Sequence, residues 1–178
     1  MSIIKILDKK FETFIPFSDI EAAIDKMAVK MNHDLKDKMP IFLVILNGSF
    51  MFAADLMKRM NFPCELSFIK LASYEGTQST EKVKELIGFN EDIKGRTIVI
   101  VEDIIDSGLT LAGVTKQLTN MGVKDIKIAT LLYKPNAFKE DYKIDYIGIE
   151  VPNEFIVGYG LDYNNQGRNY KDIYKIVE

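Results

Sequence analysis

The apolar positions of this chain fall into short dense runs, and the stretches between them repeat at helical spacing. Ile41–Leu46, Cys64–Leu71, Ile98–Val101, Ile126–Leu132 and Tyr146–Val151 are brief and mostly rich in branched residues, the mark of strands covered on both faces. Ser18 and Glu21 make a capping box around Ile20, and Ile24, Met27 and Met31 continue the spacing. A helix is therefore predicted from there to about Lys38, before Pro40. Gly48 and Ser49 lead into a second helix through Met60, and a third opens near Gly108 and ends before Gly122. Residues 73–82 are polar and aperiodic, which predicts a long exposed loop of the kind that serves as a lid, with Val83–Phe89 as its returning arm. After Pro152 the chain turns rich in Gly, Asn, Tyr and Asp, and a last strand is predicted at Ile173–Val177. The alternation predicts an α/β fold with a doubly wound parallel sheet. We read residues 1–178 as a single domain. Its core spans about 41–151, and a small hood is built from about 152–178 with part of the N-terminal segment.

Composition narrows the classes. The 178 residues are 47% hydrophobic and 28% charged, which is globular. A net charge of −3 argues against a nucleic-acid footprint, which needs a basic face. No apolar stretch approaches the ~20 residues of a membrane span, and the charged start lacks a signal-peptide core. We expect a cytoplasmic protein. Cys64, the single cysteine, is expected to be a buried small hydrophobe, and the single histidine, His33, to be solvated. One of each excludes a zinc cluster, and a Ser-His-Asp triad would have to use His33.

The densest chemistry lies at 102–110. The run Ile98–Val101 ends in Glu102 and Asp103, a third acid follows at Asp106, and Ser107, Gly108 and Thr110 open the next helix. Backbone N–H groups at such a start suit a phosphate, with Gly108 allowing close approach and two hydroxyls adding donors. Acids beside a phosphate cradle must face something else, and vicinal sugar hydroxyls or a divalent cation fit. Acids after a strand are otherwise ordinary solvated charges. There is no Walker A motif, and no G-x-G-x-x-G follows a strand.

Leu46-Asn47-Gly48-Ser49 is a second strand-to-helix junction with glycine, read alone as a structural turn or a second anion site. Lys134 follows a strand at the sheet edge where α/β proteins bind ligands. Phe155 reads as core or as a stacking platform, and Asp162 and Arg168 read as surface residues.

Five pieces in this order resemble the type I phosphoribosyltransferases, and among them the hypoxanthine-guanine group. They are Leu-Asn-Gly-Ser at 46–49, Ser-Tyr-Glu-Gly-Thr at 73–77, Val-Glu-Asp-Ile-Ile-Asp-Ser-Gly at 101–108, Lys-Pro at 134–135 and Phe-Ile-Val-Gly-Tyr-Gly-Leu-Asp-Tyr at 155–163. The resemblance implies that family's fold: a central parallel sheet flanked by helices, a small hood and a flexible lid. It also implies transfer of a phosphoribosyl group from phosphoribosyl pyrophosphate to a 6-oxopurine. In that reading Leu46, Asn47 and Gly48 meet the diphosphate, and the Leu46–Asn47 peptide is cis. Glu102 and Asp103 hold the ribose hydroxyls directly or through magnesium, and Asp106, Ser107, Gly108, Leu109 and Thr110 wrap the 5′-phosphate. Asp106 also faces the purine N7 as the candidate base. Lys134 contacts the 6-oxo group, Phe155 stacks on the base and the Ile156 backbone meets its edge. Asp162 faces the purine edge and holds magnesium on the pyrophosphate, which Arg168 binds. Ser73 and Tyr74 lie in the lid. The implied metal ligands are Glu102, Asp103 and Asp162, with Mg2+ as the cofactor and a homodimer or homotetramer as the assembly. One departure stands out: many members carry lysine where this chain has Asn47, so the turn here brings amides without that charge.

Two other readings compete. A regulator that binds phosphoribosyl pyrophosphate without catalysis would keep 103–110 but not need Lys134, Phe155 and Asp162, and would need a basic surface. A xanthine-preferring relative would differ only at the base. An ammonium group offers donors and no acceptor, so Lys134 favours hypoxanthine and guanine over adenine.

Overall fold

The computed structural model describes residues 2–72, 84–87 and 92–177. Along the chain run β1 (Ile3–Ile6), β2 (Lys9–Ile15), α1 (Phe17–Leu35), β3 (Ile41–Leu46), α2 (Phe50–Met57), β4 (Glu65–Ala72), β5 (Lys84–Ile87), β6 (Thr97–Ile105), α3 (Leu109–Asn120), β7 (Asp125–Tyr133), β8 (Tyr146–Glu150), β9 (Ile156–Val157) and β10 (Ile173–Val177). Among these residues there are two sheets. The larger has the order β5-β4-β3-β6-β7-β8, with five parallel strands and β5 antiparallel at the edge. The smaller, β1-β2-β10-β9, is antiparallel and joins the two ends of the chain. Among the described residues no helix is long and apolar enough to cross a membrane.

Strand alternation builds two cores from one sheet. Phe42 and Val44 of β3, with Val99 and Val101 of β6, meet Ile20, Ile24 and Met31 of α1 and Phe52 and Leu56 of α2. Ile41, Leu43, Ile45, Ile98 and Ile100 point the other way, onto Leu111, Val114 and Leu118 of α3. Strands with apolar side chains on both faces need this double cover, and the sequence reads accordingly.

Several boundaries differ from expectation. The strand at 98–101 does not stop at the acid pair but continues to Ile105, because Glu102, Ile104 and Ile105 keep pairing with β7. The side-chain alternation breaks there: Ile104 packs with Val99 and Val101, while Ile105 packs with Ile98 and Ile100. The capping box at Ser18 does not form. The helix already starts at Phe17, and the Phe17 N–H is capped at 2.7 Å by Asp172 Oδ1, a carboxylate from far along the chain. The second helix ends at Met57 rather than Met60. Residues 3–15 form strands with charges on their exposed positions, which hid the alternation around Phe11 and Ile15. Cys64 is only partly buried, and His33 is exposed beside Asp34.

Candidate active site

The ends of the parallel strands carry the chemistry. β3 and β6 are neighbours, and each runs into a glycine turn and then a helix. The first of these turns lies against Asp103 near the end of β6. At Gly48 there is no room for a side chain: a Cβ there would stand 1.5 Å from Asp103 Oδ2. The carbonyl of Gly48 in turn abuts Gly160, where a Cβ would come within 2.0 Å of it. Arg168 donates from Nη1 to the Gly160 carbonyl at 2.7 Å and from Nη2 to Asp162 Oδ1 at 2.6 Å. Its charge also reaches Asp103. One side of the site therefore gathers Asn47, Gly48, Asp103, Asp162 and Arg168. The Leu46–Asn47 peptide is cis.

The other side is the turn into α3. Gly108 adopts φ +86°, and Glu102, Asp106, Ser107, Gly108 and Thr110 line a cavity of about 110 Å³. Asp106 and Leu109 and Thr110 are exposed there. A left-handed residue just ahead of a helix turns the first free N–H groups outward, as an anion site requires. Lys134, only 8% exposed, reaches Asp106 Oδ2 at 3.2 Å and Asn153 Oδ1 at 3.4 Å. A buried ammonium held by a carboxylate and an amide keeps one more N–H to offer.

Glu102 and Asp103 stand between the two sides. Burial pushes the Glu102 carboxyl well above its ordinary value, and the neighbouring Asp103 adds to it. Burial also raises Asp103, against the hydrogen bond from the Ile104 N–H (2.8 Å) and the charge of Arg168. Glu102 Oε2 is buried with no hydrogen-bond partner. A close pair of carboxylates with an orphaned oxygen is suited to a proton, sugar hydroxyls or a hard cation. Among the described residues no three acids, histidines or cysteines gather closely enough to hold an ion by themselves. Of the carboxylates expected as magnesium ligands, Glu102 and Asp103 stand together here, and Asp162 is engaged by Arg168 and by the Asn165 N–H.

Phe155 is 48% exposed and packs edge-on against Tyr163 at 5.9 Å, so part of the ring faces outward, while Ile156 is buried in β9. Ser73 and Tyr74 lie outside the described residues. Sequence reasoning did not single out Asn153, which holds Lys134, or Tyr142. The Tyr142 hydroxyl donates to the Gly108 carbonyl at 2.9 Å. No local pattern marks either one, because both act across the fold.

A central parallel sheet of this order, flanked by helices and joined to a small antiparallel sheet, is the fold of the type I phosphoribosyltransferases. Residues 17–164 match the phosphoribosyl transferase domain, and the chain belongs to that family. It is 40% identical over 152 residues to the hypoxanthine-guanine phosphoribosyltransferase of Staphylococcus epidermidis, covering 85% of each chain. To the hypoxanthine phosphoribosyltransferase of Salmonella typhimurium it is 38% identical over 169 residues, 93% of this chain and 95% of that one. A crystal structure of a hypoxanthine phosphoribosyltransferase from Staphylococcus aureus matches it with a TM-score of 0.88 at 35% identity, covering 93% and 91%.

Proposed function

We propose that this chain is a purine salvage enzyme. It transfers the 5-phosphoribosyl group from phosphoribosyl pyrophosphate to N9 of hypoxanthine, and of guanine, releasing pyrophosphate. The observation that carries the reading is the Lys134–Asp106 pair at the mouth of the Gly108 turn. It sets a donor for a 6-oxo group and a carboxylate for a ring proton beside a phosphate cradle.

The roles follow from chemistry. The amides and hydroxyls of 106–110 bind the 5′-phosphate. Leu46, Asn47, Gly48 and Arg168 take the pyrophosphate, for which Arg168 exchanges Asp162 as its partner. Lys134 orients the purine through its 6-oxo oxygen, Phe155 covers one face and Ile156 borders the edge. Asp106 accepts the proton that the purine must lose as N9 bonds to the sugar. Glu102 and Asp103 hold the ribose hydroxyls as positive charge develops on the ring. Glu102, Asp103 and Asp162 would hold magnesium together with substrate oxygens, and the ion would neutralise charge on the leaving group. Supporting this is the hard-oxygen donor set with Glu102 Oε2 unpartnered.

We further propose one domain with its core at 41–151, a cytoplasmic location, and a homodimer or homotetramer. The exposed apolar side chains Phe50 of α2 and Leu66 and Phe68 of β4 support self-association.

A turnover assay with four purines tests the reading. Hypoxanthine is used, guanine follows and xanthine is weak, while adenine is rejected by roughly 10⁴, since it presents donor to donor at Lys134. Product should vanish with excess chelator and return with magnesium. Efficient use of adenine with hypoxanthine inert would overturn the assignment of Lys134.

A further inference from the structure

Tyr159 is placed unusually for its residue type. It sits between Gly158 and Gly160 with φ +48° and is 2% exposed. Residues with a Cβ hold such backbone only where their surroundings over-determine it. Here the surroundings are specific. The ring packs on Phe17 at a centroid distance of 6.0 Å, and the hydroxyl donates to Asp55 Oδ2 at 2.5 Å. Asp55 lies on α2, with Lys58 Nζ on its other oxygen at 2.5 Å. Against the upward push of burial, the hydrogen bonds from Lys58 and Tyr159 hold the Asp55 carboxyl below its ordinary value, so the acceptor is ionised. Charge-assisted bonds of this kind are among the stronger ones.

The position of this bond gives it meaning. α2 begins directly after the 46–49 turn. One residue beyond Tyr159, Gly160 lies against the Gly48 carbonyl. The Gly160 N–H donates to the Arg168 carbonyl at 3.0 Å, and the Arg168 guanidinium returns to the Gly160 carbonyl at 2.7 Å. The Tyr159–Asp55 bond therefore ties the segment carrying Arg168 to the helix that carries the Asn47–Gly48 turn.

We infer that Tyr159 and Asp55 are positioning residues: their hydrogen bond holds Gly160 on Gly48 and so keeps Arg168 in register with the diphosphate end of the site. The inference rests on the reading of that end under the proposed function. At the purine end Lys134 is held instead by Asp106 and Asn153, so the donor to the base does not depend on this bond.

The test is Tyr159→Phe, which keeps the ring on Phe17 and removes one hydroxyl. Phosphoribosyl pyrophosphate affinity by calorimetry, and its KM, should weaken roughly tenfold, the order of one charge-assisted hydrogen bond. The KM for hypoxanthine should stay within about twofold. Asp55→Asn keeps an acceptor and should lose less than Asp55→Leu, which should match Tyr159→Phe. The double variant Tyr159→Phe with Asp55→Leu should cost no more than either alone, since both remove one interaction. Equal rises in both KM values, or additive losses, would assign the pair to general stability and overturn the inference. Wild type that binds phosphoribosyl pyrophosphate without using any purine would refute the proposed function while calorimetry still decides the latch. Wild type that binds none would overturn both.

Discussion

The two strand-to-helix junctions of the parallel sheet both turn through a glycine, yet they are held by different means. At 46–49 the turn is closed by the Asp103 carboxylate, held by the Ile104 N–H over Gly48, and by the Gly160 backbone against the Gly48 carbonyl. Ser49 is fully buried there. At 106–109 the turn is braced by the ends of side chains, Phe138, Tyr142 and Glu140, which stand 2.7 to 3.0 Å from where a Gly108 Cβ would be. Asp106 and Leu109 stay exposed. The first junction is a fixed wall and the second an open rim. The proposed function gives each a task, the wall to seat the group that leaves and the rim to take the proton.

The sharpest way to separate them is Asp106→Asn, which keeps size and hydrogen bonding at the rim but removes the proposed base. General bases contribute ~10²–10⁴-fold, so kcat should fall by about that much, with little change in phosphoribosyl pyrophosphate affinity. An unchanged kcat would make the rim a phosphate cradle only and erase the chemical half of the comparison.

Gly48→Ala attacks the wall. The added methyl would stand 1.5 Å from Asp103 Oδ2, so the carboxylate must leave the Ile104 N–H to make room. A misplacement of this size costs ~10²-fold in kcat/KM, and overpacking costs about 1–3 kcal/mol in denaturant unfolding. Retained activity would mean that Asp103 swings free, and the junction is then not closed.

Gly108→Ala makes the matching change at the rim. Its φ of +86° is unfavourable for alanine, at about 1–3 kcal/mol, but the nearest obstructing atoms stand 2.7 to 3.0 Å off, against 1.5 Å at Gly48. We expect kcat/KM to fall by roughly tenfold, less than at Gly48. An equal or larger loss would reverse the ranking of the two junctions.

The same contrast explains what the sequence disclosed. The rim is legible because its chemistry is local: acids, hydroxyls and glycine stand within nine residues. The wall is half legible, since Gly48 looks like any structural turn until Asp103 and Gly160 are brought against it from 55 and 112 residues away. The central strands β3 and β6 were readable because burial on both faces leaves unbroken apolar runs at 41–46 and 98–101. β1 and β2 were not, because Lys5, Lys9 and Lys10 lie on exposed positions and only Phe11 and Ile15 are deeply buried in β2. The start of α1 was misjudged because its cap, Asp172, is supplied by the other end of the chain. The pairing of Lys134 with Asp106 joins positions 28 residues apart, which no spacing rule encodes. Its partner Asn153 carries no pattern at all.

The smallest effect tests the brace of the rim. The Tyr142 hydroxyl donates to the Gly108 carbonyl, and burial, with Glu140 adding to it, pushes its pKa up to about 12 from 10.0. Tyr142→Phe keeps the ring on Phe138 and should cost about 0.5–1.5 kcal/mol near neutral pH, the net worth of one neutral hydrogen bond. The pH dependence has a definite sign. Because the folded value lies above the unfolded one, the folded state holds the proton longer, and the tyrosine's contribution is complete below about pH 10. It is lost as pH rises through 12, where an unfolded tyrosine ionises freely and a buried one resists. Phenylalanine has no such loss, so the stability gap between wild type and Tyr142→Phe should narrow above pH 10 and then favour the variant. Urea unfolding of both proteins from pH 7 to 11 measures it. A gap that stays constant through pH 11 would show that the hydroxyl is not buried at the rim.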